Sequence, residues 1–516
     1  MDRRELQPSM ALLLIAITIV AGMAIAGVRS LQKRNQEHWS VSWQPSAGTP
    51  LPPSSGSSGG AGPAPTSALP IITPTPDQPH PLPDLRTEIE QYTVQSGDSL
   101  GRIAQKYSVS LSQLADENQL ANLNLLEVGQ VLTIPLPDPA SLGPGFKIVP
   151  DSELVYSPAS AGFDVRAFIQ EQGGYLAMHR EEVDGKQVSG AEIVERVALE
   201  YSVNPRLLLA VLEYQGGWLS NPNPKDGKKD FPIGVRNPAR KGLFYELSWA
   251  ANNLNRGYYL WRVNGINAWL LGNGDVVPIN PTINAGTAGV QHMFSVLYDR
   301  PGWEQAVSEA GVFTVYQNLF GFPFHYAIEP LVPADLAQPP MQLPFEPGYE
   351  WSFTGGPHGG WGDGSAWAAL DFAPPGEALG CVVNDAWVTA VVDGTVVRTA
   401  EGVVIQDLDG DGLEQTGWTV LYLHIDQRDR VPLGTVLKAG DRVGHPSCEG
   451  GVSAGTHVHL ARRYNGEWIP ADQSVPFNLD GWVSQGLDNE YDGYLVRDSR
   501  RIEAYDGRAP ENAVQR

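Results

Sequence analysis

The sequence predicts a multidomain chain: an N-terminal apolar segment, a solvated tether, a small βααβ unit, an all-α region and a mainly antiparallel-β domain. Three observations predict it. Met10 to Val28 is uncharged and of membrane-spanning length. Residues 44 to 88 are dominated by Pro, Gly, Ser and Thr, a mixture that cannot bury a core. Near residue 340 the apolar pattern changes from helical spacing to short Val-rich runs separated by turn residues. A chain of 516 residues has room for these units. Its formal net charge of −23 excludes nucleic acid as a partner, because phosphate binding needs clustered Lys and Arg.

Residues 1–35 read as a signal peptide or a membrane anchor. Arg3 and Arg4 precede the apolar run, and Ala24-Ile25-Ala26 is a small-residue cleavage pattern. The length of the run fits an uncleaved anchor equally well, and Arg29, Lys33 and Arg34 blur the charge asymmetry. Either way the rest of the chain is expected outside the cytoplasm, with the membrane as a partner of the N-terminal segment. Residues 36–90 form the tether, of which about 40 residues in extended polyproline form would reach roughly 120 Å.

Residues 91–136 form the βααβ unit. A short β run from Tyr92 leads to a turn and a helix started by Ser99, with Ile103, Ala104 and Tyr107 at helical spacing. A second helix starts near Leu111, and "GQVLTIP" returns as a strand. Gly97-Asp98-Ser99-Leu100, Ile103-Ala104, Asn118 and Gly129-Gln130 resemble a LysM module over its full length. That resemblance implies binding of N-acetylglucosamine polymers such as peptidoglycan. It places the glycan groove at Gly97, Asp98, Ser99 and Leu100 with the loop Asn124 to Leu126. The competing reading makes the same turn purely structural.

Residues 146–338 read as helical. Ser189 and Glu192 stand in capping-box spacing, followed by Ile193, Val194, Val197, Ala198 and Tyr201 on one face. "NPRLLLAVLEYQGGW" resembles the active-site helix of lytic transglycosylases, which implies a lysozyme-like domain. Gln215 stands where that family has its acid and Gly216 where it has serine, and an amide cannot protonate a leaving group. Glu213 lies about 200° around the helix from Gln215. The domain is therefore expected to lack glycosidase activity and to hold a glycan strand.

Residues 340–484 carry the β runs, and 485–516 read as a C-terminal tail. Half of the ten histidines fall here: His358, His424, His445, His457 and His459. In "THVHLARRY" a strand would point His457 and His459 to one face. His358 lies in the Gly-rich "GGPHGGWGDG", Asp371 in "ALDF" and His424 in "YLHI". Three such ligands and an open fourth position make a catalytic zinc set.

These motifs, in this order, resemble the lysostaphin-type zinc endopeptidases, in particular their β-lytic branch, over residues 350 to about 475. The resemblance implies Zn2+ on His358, Asp371 and His459, with His457 and His424 as catalytic residues that handle protons and support the oxyanion. Beside a glycan-binding module outside the membrane, the substrate would be peptide bonds of peptidoglycan. A non-catalytic wall-binding scaffold or activator is the alternative, and loss of a ligand would have marked it. Asp407, Asp409 and Asp411 open a calcium-loop pattern, but Trp418 occupies the twelfth position, so a full EF-hand is excluded; Ca2+ or a solvated hairpin tip both remain open. Cys381 and Cys448, the two cysteines of the chain, are expected to be disulfide-bonded in an oxidising compartment.

Overall fold

The structure, a computed structural model, describes Arg86 and residues 88–516 other than 108, 121, 124, 137–141, 377 and 488. The apolar segment 1–35 and nearly all of the tether lie outside the described residues. Among the described residues no helix is long and apolar enough to cross a membrane.

The βααβ unit folds from strands Glu90–Thr93 and Val131–Ile134, paired antiparallel around helices Leu100–Lys106 and Leu111–Glu117. Local chemistry sets each end. Ser99 caps the first helix, and Ser110 with Gln113 forms a capping box on the second. Asn118 ties the second helix to the return strand, donating to the Leu114 and Thr133 carbonyls and accepting from Thr133 N. The core of the unit is completed by Ala268 and Val276 from the next region.

The helical region is not all-α. It contains two antiparallel hairpins, Arg180–Val183 with Lys186–Ser189 and Ala268–Leu270 with Val276–Pro278. The first turns at Asp184-Gly185, both at positive φ, which is the Asp-Gly hairpin signal. The capping box at Ser189 and Glu192 starts helix Gly190–Tyr201 as the spacing predicts. Helix Leu243–Arg262 is the longest of the region, and the helix Pro205–Gly216 between them is buried along most of its length.

The β domain is built on one antiparallel sheet. Its strands in chain order are β1 Glu350–His358, β2 Ala369–Ala373, β3 Gly394–Ala400, β4 Val403–Asp407, β5 Trp418–Leu423, β6 Val436–Leu437, β7 Val458–Tyr464, β8 Glu467–Trp468 and β9 Ala513–Gln515. They lie in the order β6-β3-β4-β5-β7-β2-β1-β9, with β8 hydrogen-bonded to β7. The stretch read as a C-terminal tail is part of this fold. Ala513 to Gln515 pair with Ser352 to Glu350, and Asn478–Leu479, Trp482–Gly486, Gly493–Arg497 and Arg500–Glu503 form a separate four-stranded sheet.

The two faces of the large sheet have different neighbours. Leu370, Phe372, Val404, Val420, Tyr422 and Leu460 face the core of the β domain itself. Ala369, Val403, Ile405, Leu421, Leu423 and Ala461 belong to the core shared with the helical region. Asp371 and His459 stand two positions from Ala369 and Ala461 along β2 and β7, so they share the face that meets the helices.

Candidate metal centre

Sheet register assembles the centre. His459 on β7 lies directly opposite Asp371 on β2, which in turn pairs with Gly355 on β1, three residues before His358. His358 Nε2 is 2.9 Å from His459 Nδ1, and Asp371 Oδ1 is 3.3 Å from the first and 3.2 Å from the second. All three side chains are buried. Among the described residues, His358, Asp371 and His459 form one of two groups able to hold a metal ion.

Backbone carbonyls fix the tautomers. A carbonyl only accepts, so the ring nitrogen facing it carries the hydrogen. His358 Nδ1 faces the Gly356 carbonyl at 2.8 Å and His459 Nε2 faces that of Gly360 at 3.1 Å. This leaves His358 Nε2 and His459 Nδ1 as bare lone pairs aimed at each other. Asp371 Oδ1 is buried without a hydrogen-bond partner. Three electron-rich atoms in mutual contact need a cation between them, and two imidazoles with one carboxylate suit zinc. The residues present fit the ion.

Two more imidazoles border the centre. His424 Nδ1 donates to the Glu449 carbonyl at 2.9 Å and His457 Nδ1 to that of Gly455 at 2.7 Å. Their rings lie 4.5 Å apart, and His457 Nε2 is 3.6 Å from Asp371 Oδ2. Both therefore present Nε2 as an acceptor beside the ligands. His457 is the more open, its side chain 16 % exposed.

Charge and burial oppose each other here. Burial alone would raise Asp371, yet the imidazoles of His358 and His457 hold its carboxyl well below the usual range. Burial lowers His358, but the Asp371 carboxylate outweighs it and the pKa rises. His459 is lowered, chiefly by burial. His424 is pushed down to about 3 by burial and by His457 and His459.

Two residues of the stretch read as a tail reach the centre, and the sequence analysis missed both. The Tyr491 ring stacks on His358 with centroids 4.2 Å apart. Its backbone, at φ +70°, accepts from Gly356 N at 2.8 Å and donates to the Pro357 carbonyl at 3.1 Å. Burial and the Asp371 charge raise its pKa, so the phenol stays neutral. Glu490 Oε1 accepts from Gly359 N at 3.1 Å, and burial raises the pKa of its carboxyl.

The remaining candidates are placed as follows. Cys381 and Cys448 are bonded, with Cα atoms 5.7 Å apart, and tie the loop after β2 to the loop before β7. Thiol labelling of the unreduced, denatured chain is expected to find no free thiol, and the bond to contribute about 2–4 kcal/mol; two labelled cysteines would contradict it. His445 donates to the Ala386 carbonyl and packs on Trp387. Asp407, Asp409 and Asp411 converge, but their carboxylates accept from N–H groups of their own turn, at Asp409, Gly412, Asp411 and Leu413. In the βααβ unit, Gly97 supplies a positive φ, Asp98 accepts from Tyr92 Oη and Gln95 N, Ser99 is the helix cap and Leu100 is core. In the helical region, Gln215 is buried and accepts from Tyr298 Oη, while Glu213 accepts from Leu219 N and Ser220 N past the helix end. Both side chains thus have partners within the helical region.

Residues 147–332 match the family model described as LasA, N-terminal domain, and residues 92–135 that of the LysM domain. Over 343 residues the chain is 26% identical to Protease LasA of Pseudomonas aeruginosa, an alignment that covers 62% of this chain and 74% of the relative. Among solved structures it is similar to the M23 metalloprotease pseudoalterin from the deep sea, at 25% identity and a TM-score of 0.27 over 36% of this chain and 100% of that one. It is also similar to the catalytic domain of lysostaphin from Staphylococcus simulans, at 21% identity and a TM-score of 0.18 over 24% of this chain and 89% of that one.

Proposed function

We propose that the chain is an extracytoplasmic zinc metalloendopeptidase of the LasA and lysostaphin type, which cleaves peptide bonds of peptidoglycan and is brought to the wall by its LysM module. The segment 1–35 would serve as its export signal or anchor. One observation carries the reading: His358 Nε2, Asp371 Oδ1 and His459 Nδ1 converge without a proton between them, beside two further imidazoles that present bare nitrogens.

His358, Asp371 and His459 would hold zinc, which when bound would supply Lewis acidity and lower the pKa of water towards roughly 7. The protein supplies the rest. His457, on the open side, takes the proton released when water attacks the scissile carbonyl and returns one to the departing amine. His424 stays neutral and orients the attacking oxygen through Nε2. Tyr491, kept neutral by burial and stacked on His358, keeps that ligand in place. Burial of the ligands strengthens each of these interactions.

Gel zymography of the full chain on peptidoglycan tests the proposal. The expected result is clearing that a zinc chelator abolishes and zinc restores, with new amino termini in the digest. A zinc-loaded chain that binds the gel without clearing it would establish the scaffold reading instead.

A further inference from the structure

Helix Leu243–Arg262 belongs to the helical region, yet two of its side chains hold the loop that follows His358. Asn252 Nδ2 donates to Asp363 Oδ1 at 2.6 Å, and Gly364 N donates back to Asn252 Oδ1 at 2.9 Å. Arg256 pairs with the other carboxylate oxygen of Asp363 at 2.8 Å and also donates to the Asp363 carbonyl at 2.9 Å. The Arg256 side chain is only 9% exposed, so its charge meets Asp363 largely out of water.

The backbones are close enough to exclude side chains. A Cβ on Gly364 would lie 2.0 Å from the Asn252 carbonyl oxygen, and one on Gly362 would lie 2.6 Å from Asn252 Oδ1. The glycine-rich sequence after His358 is thus explained at these two positions by a helix lying against it. Inside the loop, Trp361 N donates to Ser365 Oγ at 3.0 Å, Ser365 Oγ to the Gly362 carbonyl at 3.2 Å, and Gly360 N to the Ala366 carbonyl at 3.0 Å. The turn from Gly360 to Ala366 is one hydrogen-bonded frame, gripped at Asp363. Its other end carries the Gly360 carbonyl, which faces His459 Nε2.

We propose that Asn252, Arg256 and Asp363 form a clamp through which the helical region positions the loop 359–365 and so fixes the tautomer and orientation of His459. These are positioning residues: none touches the ligand atoms. The proposal rests on the zinc reading of the site. Groups that orient a ligating histidine through its second nitrogen govern metal affinity by about 10–100-fold when lost. Asp363 is half-exposed and the Arg256 guanidinium keeps the Asp363 carbonyl as an acceptor, so breaking the carboxylate pair is expected to cost the metal-free fold less than it costs the metal site. Metal affinity and stability are therefore expected to separate.

The test is zinc affinity of the full chain, by competition with a chromogenic chelator, for Asn252→Ala, Asp363→Ala and the double variant. Each single variant is expected to bind zinc about tenfold or more weakly. The double variant is expected to be no weaker than the worse single one, because both break the same frame. Thermal unfolding of the metal-free chain should fall by less than the loss of zinc affinity accounts for, and least for Asn252→Ala. Should Asp363→Ala fail to fold, Asp363→Asn keeps its size and carries the same expectation through loss of the Arg256 pair. Zinc affinities within twofold of the unsubstituted chain, or losses matched by equal destabilisation of the metal-free chain, would overturn the clamp alone. An unsubstituted chain that binds no zinc would overturn the clamp and the zinc reading together.

Discussion

His459→Ala is expected to remove both bound zinc and peptidase activity, leaving hydrolysis at background. Its Nδ1 is one of three atoms that meet within 2.9 to 3.3 Å, and its loss leaves two ligands where a catalytic zinc site needs three. The substitution also leaves Asp371 Oδ1, already without a hydrogen-bond partner, with one neighbour fewer in a buried position. Atomic emission on the purified variant gives the metal content directly. The same ligands make binding acid-sensitive. Asp371 raises the pKa of His358 in the metal-free chain, so a proton competes with zinc for Nε2, and affinity falls as pH falls.

His457→Ala is expected to do the opposite to metal and the same to turnover. Zinc content stays close to that of the unsubstituted chain, while kcat falls by about 10²–10⁴-fold, the usual effect of losing a positioned acid–base group. The reason is geometric: His457 Nε2 looks towards Asp371 Oδ2 rather than into the ligand triangle. Equal zinc loss in His457→Ala and His459→Ala would remove this division of roles. His424→Ala should also retain zinc, and it discriminates further. With a pKa of about 3, His424 does not titrate near neutral pH. Its loss should therefore lower the pH–rate profile without moving the acid limb, and a displaced limb would count against a neutral His424.

The centre was legible because its signals are local and ordered. His457 and His459 share a face by strand periodicity alone, and "GGPH", "ALDF" and "YLHI" are short, distinctive strings whose residues the register then brings together. What escaped notice depends on contacts between distant segments. Tyr491 stacks on a residue more than a hundred positions away, and no period or motif in "DNEYDG" announces that. Asn252 and Arg256 sit on an ordinary amphipathic helix, and only tertiary packing shows that their partner is the loop after His358. The two hairpins of the helical region were a different kind of omission. "VDGK" and "GNGD" carry turn chemistry that was outweighed by the helical texture on either side. The LysM turn shows the reverse risk: Asp98, Ser99 and Leu100 match a binding motif, while their side chains cap, turn and fill the core.

The carbonyls that set the four imidazoles have a consequence for anyone who maps this site by mutagenesis. They belong to Gly356, Gly360, Glu449 and Gly455, and each is a main-chain atom that survives every side-chain replacement. An alanine scan would therefore score the ligands and the proton-handling histidines but reach these carbonyls only indirectly, at side chains such as Asn252 and Asp363 that hold the main chain. The carbonyls themselves would be tested directly by changes to the main chain, such as amide-to-ester exchange, single-residue insertion or proline scanning.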